Sequence, residues 1–475
     1  MGETMPMMAK ISRKQRTASE SAQRWLLWTA TAIITCIAFE TLAVTTAMPT
    51  VTRELQGEHL FALANGIALA AQLITTAIAG QWIDAKGVKP ALFIGLSMFA
   101  LGLFICTTSP TIEIFTIGRL VQGLGGGLCI VPLYVLVGRL VPSDTQPKFF
   151  AFFSAAWVVP SLVGPAISGF LVEQAHWRWV FAIVPIALVV MMPVIGKVLN
   201  MLPPMEFTGS LKGINKTIGV ALGTGGAAII LQVLSGTESA DFTPLTFIII
   251  AVAMIAALAF VRPLIPPRTI TLGRGLPATI AFRTFLNGTF VGIEIYLPLM
   301  LQRIHGWDPF EAGLTLTVGS VTWAVGSFIQ ARIVDPRNRK YIANWGAFFM
   351  LLGCLGTIPV AFVSVSPGFL VAAWAVAGLG IGMAHPAMST HALGLTPVEK
   401  QGGTSSSLQM ADNLGSALAI AIAGIAFALI AGQGTAAFVL LLSVMSGLAL
   451  CTLLISFRVE PKVTTSPLPN EADPR

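Results

Sequence analysis

Charge is scarce in this chain. Only 10% of its 475 residues are Asp, Glu, Lys or Arg, against roughly 25% in soluble domains, so an ordinary water-facing surface is excluded. Cysteine is scarce too. Cys36, Cys106, Cys129, Cys354 and Cys451 all fall inside apolar runs and no two form a C-x-x-C, which leaves them as small packing residues and offers no disulfide or metal framework. His59, His176, His305 and His391 lie in or near loops and His385 interrupts the stretch GIGMAHPAM; they suggest no ligand cluster, and a packed, hydrogen-bonded His385 is favoured over a titrating one. There is no phosphate loop of the form GxxxxGK[ST], and no nucleophile–base spacing, which argues against ATP drive and against a membrane enzyme. The net charge of +7 is spread over alternate loops and forms no patch, so nucleic acid is not an expected partner.

What is present is apolar length. Hydrophobic residues make up 55% of the chain, and their runs are long enough to cross a ~30 Å hydrocarbon core as helices. Candidate spans are 25–48, 61–82, 90–108, 113–138, 149–173, 179–199, 213–235, 244–262, 277–301, 309–333, 341–364, 367–391, 402–430 and 435–457. In lipid such segments must satisfy their own backbone groups, so the expected fold is an all-α polytopic membrane protein of about fourteen spans. The first run follows Lys10, Arg13, Lys14 and Arg16, but it is too long for a signal-peptide core and contains Glu40, so it reads as a retained span.

Basic residues test the count. Alternate loops contain or abut Lys86 and Lys89, Arg139 and Lys148, Lys197 and Lys212, Arg262, Arg268 and Arg274, Arg332, Arg337, Arg339 and Lys340, and Lys400; the opposite loops hold Arg53, Arg178 and Arg303. The positive-inside rule then places both termini in the cytoplasm. Omitting the 213–262 pair would keep the same parity, so charge leaves twelve spans open, while two full-length apolar runs favour fourteen. The polar tails 1–24 and 459–475 are expected to be disordered.

The chain repeats itself. GLGGG at 123–127 returns as GLGIG at 378–382, and at the same offset Pro142, Asp144 and Gln146 match Pro397, Glu399 and Gln401. Glu40 and Glu294 are offset by nearly the same amount. The expected organisation is a six-helix bundle over 25–200, a linker with two additional spans over 201–274, and a second six-helix bundle over 275–458, with a substrate site between the bundles.

Five stretches carry a resemblance. GQWIDAKGVKPAL (80–92) resembles the loop motif of the major facilitator superfamily at Gly80, Asp84, Gly87 and Lys89, with Ala85 and Val88 where basic residues are usual. GRLVQGLGGG (118–127) resembles its R-x-x-Q-G-x-G at Arg119, Gln122 and Gly123. WVVPSLVGPAISGF (157–170) resembles the G-P-x-x-x-G of its antiporters at Gly164, Pro165 and Gly169, with Pro160 upstream. FETLAVTTAMPTV (39–51) and HWRWVF (176–181) resemble stretches of its fourteen-span drug:proton antiporters, with Glu40 at an aspartate position and Leu42 and Thr45 where threonine and asparagine are usual. Trp177 and Trp179 also read plainly as interfacial anchors, and Gly80 as a point of close helix approach.

The resemblance implies that the loop motif latches the outward-facing state, that Arg119 serves proton coupling, and that the Gly-Pro helix marks export. The plain alternatives are an ordinary turn, an arginine snorkelling to the outer interface, and a kinked packing helix.

Three acids, Glu40, Glu294 and Asp412, lie deep within spans. Charges there are rare and functional by default, and an unpaired one costs about 2.5 kcal/mol or more. Glu40 lies sixteen residues past Arg24, roughly 24 Å along a helix, and Glu294 lies at a similar depth in its span. The repeat would set them on opposite walls of one cavity, where a proton and a cationic substrate compete for one charge, with Arg119 tuning one acid. Arg283 lies too far from Glu294 for a local pair. Asp412 either lines an inner cavity or caps a helix.

The expected function is proton-coupled export of lipophilic or cationic drugs: multidrug efflux by antiport, of the antibiotic-resistance type. The expected protein is monomeric in the lipids of a bacterial cell membrane, with no cofactor beyond the proton gradient. The alternatives are a dedicated exporter of an endogenous metabolite or lipid and, against the Gly-Pro motif, a proton-coupled importer.

Overall fold

The computed structural model describes residues 19–142, 145–202, 214–234, 243–333, 336–396, 401–430 and 434–460. Asp144, Pro397, Glu399 and the side chains of Asp84, Gln146 and Gln401 lie outside the described residues, as does most of both tails. Every regular element among the described residues is helical: α1 (Glu20–Glu54), α2 (Phe61–Lys86), α3 (Val88–Thr108), α4 (Ile112–Leu140), α5 (Gln146–Gln174), α6 (Arg178–Met201), α7 (Ile214–Leu234), α8 (Pro244–Val261), α9 (Leu276–Glu294), α10 (Tyr296–His305), α11 (Pro309–Arg332), α12 (Pro336–Thr357), α13 (Pro367–Gly394), α14 (Gln401–Ala428) and α15 (Thr435–Ser456), with three short 3-10 turns. Among the described residues thirteen elements, counting α9 and α10 as one, are long and apolar enough to cross a membrane. The 29-residue α5 is the fourteenth long helix. The molecule is a multi-pass membrane protein.

Local chemistry sets the helix ends. Ser19 Oγ accepts from the Ala22 amide at 3.3 Å to cap α1, and Asp308 and Glu311 form a reciprocal capping box on α11. Gly87, at φ 92°, turns the chain between α2 and α3, a conformation that disfavours a side chain. Pro298 has no amide hydrogen to return to the Glu294 carbonyl one turn earlier, and the long element breaks there into α9 and α10.

The packing repeats as the sequence does. Within α1–α6, the close neighbours are α1 with α5 and α6, α2 with α4, and α3 with α4 and α6. Within α9–α15 they are α9 with α14 and α15, α11 with α13, and α12 with α13 and α15. The first set maps onto the second in chain order. The glycine runs make equivalent crossings: a Cβ on Gly123 would stand 2.1 Å from the Ala68 carbonyl of α2, and one on Gly378 2.3 Å from the Gly319 carbonyl of α11. Gly125 meets Gly95 and Phe99 of α3, as Gly380 meets Gly346 and Met350 of α12. Small residues let backbones close, which drives association between helices in lipid.

The halves meet along α2 with α14 and α5 with α11, a pair of seams that the same mapping exchanges. The inserted α7 packs on both α2 and α14, and α8 packs on α7. Gln232 of α7 reaches the α2–α14 seam, donating Nε2 to the Ala417 carbonyl at 3.1 Å beside Gly66, where a Cβ would collide with it at 2.4 Å.

Two sequence expectations are corrected. Gly80 is not a point of close approach: a Cβ there meets nothing within 4 Å, because Gly80 lies on the exposed side of α2, while Ala79 and Ile83 on either side of it are buried. Trp177 is not an interfacial anchor. It is buried, donates Nε1 to Glu54 Oε2 at 2.8 Å and packs edge-on against Phe115 and Phe181, while Trp179 is 52% exposed.

Candidate functional site

We call the end of the bundle where α1 begins the near end and the opposite end the far end. Glu40 lies twenty residues into α1, about 30 Å along its axis and in the far half. Arg119 enters from α4, seven residues from its far-end start. Both are buried, and Arg119 Nη1 donates to Glu40 Oε1 and to Gln122 Oε1. Arg119 Nε donates to the Ala64 carbonyl of α2 at 3.3 Å. The span-one acid and the span-four motif are therefore one cluster joining α1, α2 and α4. Arg119 does not snorkel, because its counter-ion is supplied inside the bundle.

A second cluster lies toward the near end of α9–α15. Arg283, seven residues into α9, grips Asp412 of α14 with both arms, Nε to Oδ1 at 3.0 Å and Nη2 to Oδ2. Its Nη1 donates to the His385 carbonyl of α13 at 3.3 Å and to Ser389 Oγ. His385 Nε2 lies 3.4 Å from Asp412 Oδ2, and Asn287 Nδ2 donates to the Asp412 carbonyl at 3.2 Å and to Ser416 Oγ at 2.8 Å. Asp412 is thus a paired acid eleven residues inside its helix and caps nothing. The sequence pattern does not show this cluster: Glu294 is the acid on the Arg283 helix, and the true partner lies on another span, although a buried cation and a buried acid on different spans call for each other.

Glu294 joins neither cluster. It closes α9, is partly accessible, and makes no hydrogen bond or ion pair among the described residues. Arg283, Asn287, Phe290 and Glu294 recur at three- and four-residue steps, so they form one stripe along α9. Phe290 stacks on Trp374 with ring centroids 4.4 Å apart and meets Trp323 edge-on at 5.2 Å.

The remaining motif residues divide by role. In the loop motif, Lys89 Nζ donates to Asn200 Oδ1 of α6 at 3.3 Å. In α5, Gly169 is a true crossing, where a Cβ would stand 2.5 Å from Phe310 Cα of α11, while Gly164 has open room, with Leu42 Cβ 3.8 Å away. Pro165 presents its carbonyl to Gly313 of α11 at 2.6 Å from a built Cβ, and Ser168 Oγ donates to the Ala43 carbonyl of α1 at 2.6 Å. Pro160 lies inside the same helix. The Gly-Pro motif therefore sits on the α5–α11 seam.

The far end is tied across the halves. Arg303 pairs with Glu58, Arg53 Nη2 donates to Gln302 Oε1 at 3.2 Å, and the Phe310 amide donates to Glu173 Oε1 at 2.8 Å. Among the described residues no three His, Cys, Asp or Glu side chains gather as metal ligands.

Comparison with known proteins places this architecture. The chain is 24% identical to the "Probable multidrug-efflux transporter Rv1634" of Mycobacterium tuberculosis, over 73% of this chain and 75% of that one. Its fold matches the crystal structure of a peptide transporter POT in complex with sulfate, at TM-score 0.66 and 16% identity over 91% of this chain and 94% of that one. It also matches the human organic anion transporter MFSD10 (TETRAN), at TM-score 0.61 and 13% identity over 91% and 99%. The family profile described as Major Facilitator Superfamily matches residues 30–419 and again 280–474, so the chain is a transporter, not an enzyme, and belongs to the Major Facilitator Superfamily.

Proposed function

We propose that this transporter exports lipophilic, cationic drug-like molecules across a bacterial cell membrane in exchange for protons, by alternating access. The buried Glu40–Arg119–Gln122 cluster carries the reading. An acid held by an arginine within a membrane-spanning bundle is a group that can release its partner when it takes a proton, and charged groups at such depth are kept for pathways and relays. The multidrug-efflux name of the mycobacterial relative supports the substrate class and the direction. The α5 motif supports exchange, since it lies on a seam between the halves.

In this reading residues 25–200 and 275–458 are the two moving bundles and 201–274 is an insert that rides on the α2–α14 seam. The near end, with both termini, faces the cytoplasm, and the far-end ties at Glu58, Arg303, Arg53 and Gln302 hold the outer side closed. The protein works as a monomer in lipid, needs no cofactor, and draws on the proton gradient alone.

The test is purified protein in liposomes under an imposed pH gradient, with drug flux and vesicle pH followed together. Drug and proton moving in opposite directions is the expected result. Movement in the same direction, or drug flux that leaves vesicle pH unchanged, contradicts it.

A further inference from the structure

Residues 262–275, RPLIPPRTITLGRG, join α8 to α9 at the near end and carry three arginines and no acid. α8 lies at the rim of the bundle, with Ile255, Leu258 and Phe260 exposed in its last two turns, while α9 is largely buried. The loop therefore runs from the lipid edge inward over the near face.

Its backbone is held at many points. Pro263, Pro266 and Pro267 fix φ in its first half. Thr269 Oγ1 donates to the Pro266 carbonyl at 2.7 Å, and the Gly273 amide donates to the Arg268 carbonyl at 2.9 Å. The chain leaving α15 clasps the far side of the turn: the Gly275 amide donates to the Arg458 carbonyl at 3.0 Å, and Arg458 Nη1 donates to the Leu272 carbonyl at 3.5 Å. Arg268 and Leu272 adopt positive φ, 69° and 54°, a conformation that costs energy in residues with a side chain and persists where the surroundings impose it.

This order sorts the side chains. Leu264 and Ile265 pack on the core shared by α2, α7, α8 and α14, Leu272 packs on the main core, and Thr269 is buried. Ile270 is left out, 43% exposed, between the exposed Arg268 and Arg274, with Arg262 exposed at the rim. Among the described residues none of these three arginines meets an acid. A topological signal needs the charges, but it needs neither a clasped backbone nor an isoleucine held out among them. An apolar side chain framed by cations at a membrane surface is the chemistry that meets an anionic phospholipid.

We propose that the 262–275 loop is a docking surface for anionic phospholipids of the near-end leaflet, with Arg262, Arg268 and Arg274 on the phosphates and Ile270 at the boundary between headgroups and acyl chains. Such docking is independent of drug–proton exchange, and either can fail alone.

The test titrates the purified full chain in detergent with phosphatidylglycerol or phosphatidylcholine of one acyl length and counts bound lipid by native mass spectrometry. The wild type is expected to prefer phosphatidylglycerol. The double variant Arg268→Gln with Arg274→Gln is expected to lower that preference roughly tenfold or more, the scale of two charges at a membrane surface. Arg268→Lys with Arg274→Lys keeps both charges and is expected to retain it, which also covers a Gln variant that fails to fold. Lys86→Gln with Lys197→Gln removes two exposed cations elsewhere at the same end and is expected to leave the preference within about twofold of the wild type. Ile270→Ser is expected to weaken both lipids alike. A wild type without preference, an unchanged preference in the Arg268 and Arg274 Gln variant, an equal loss in the lysine pair, or wild-type affinity in Ile270→Ser overturns the proposal. Displacement of the lipid by an equal concentration of inorganic phosphate also overturns it, since the loop would then be a site for a free anion.

Discussion

Arg119 and Trp374 each stand four residues ahead of the first glycine of the repeated run, and they make the halves electrically unequal. Arg119 neutralises Glu40 across α1 and α4; Trp374 stacks on Phe290 and brings no charge. The second half keeps its ion pair elsewhere, nearer the opposite end of the bundle, between Arg283 and Asp412.

The first prediction concerns the paired glutamate. Arg119→Ala leaves a buried carboxylate without a counter-ion, a change that costs about 3–5 kcal/mol. Glu40→Gln keeps an acceptor oxygen for Arg119 but strands its guanidinium, which cannot shed its charge, so it too is expected to lower stability. Thermal unfolding in detergent is expected to place both single variants below the wild type, and the Gln variant is expected to lose pH-driven drug transport. Full proton-coupled activity in Glu40→Gln would remove the role given to that acid.

The second separates structure from transport in the Arg283–Asp412 pair. Arg283→Met alone strands Asp412 and should again cost roughly 3–5 kcal/mol, whereas the apolar double variant Arg283→Met with Asp412→Leu removes both charges and should recover most of that loss. Melting curves of the three proteins check this. Transport assays on the double variant then show whether the pair does more than hold α9 to α14. The expectation is a stable protein with impaired transport.

Two glycines of α5 give a third. Gly169→Ala drives a methyl into the Phe310 backbone, while Gly164→Ala meets only ordinary van der Waals distances. Overpacking a crossing costs about 1–3 kcal/mol. Gly169→Ala is therefore expected to lower the melting temperature and slow transport, Gly164→Ala to do neither, and Gly80→Ala, which faces open space, to leave stability unchanged.

The far-end ties give the fourth. Glu58 and Arg303 are partly exposed, and such a pair contributes at most about 1 kcal/mol. Arg303→Glu should therefore barely move the melting temperature. It sets like charges across the seam between the halves, so a cysteine placed at the buried Thr52 beside it is expected to react with a thiol reagent several-fold faster. An unchanged labelling rate would show that these ties do not hold that end closed.

Much of this was legible in the sequence. The length of the apolar runs gave the helices, and GLGGG against GLGIG gave the repeat, because glycine at a helix crossing cannot be replaced without moving a backbone, as Gly123 against Ala68 and Gly378 against Gly319 show. Glu40 and Arg119 were each visible as costly charges in lipid, but their union was not, since 79 positions separate them and spacing along one helix says nothing of a neighbour. The Arg283 pair was hidden in the same way, since its partner Asp412 lies 129 positions away on another helix. Gly80 misled because a loop motif names a residue without saying what stands opposite it.

In the proposed exchange, proton and drug compete for acids inside this bundle. The most direct measurement is proton release from purified wild-type protein in weakly buffered detergent solution on addition of tetraphenylphosphonium. Release that saturates with drug binding and is lost in Glu40→Gln is expected. Binding without release by the wild type, or the same release from Glu40→Gln, would contradict it.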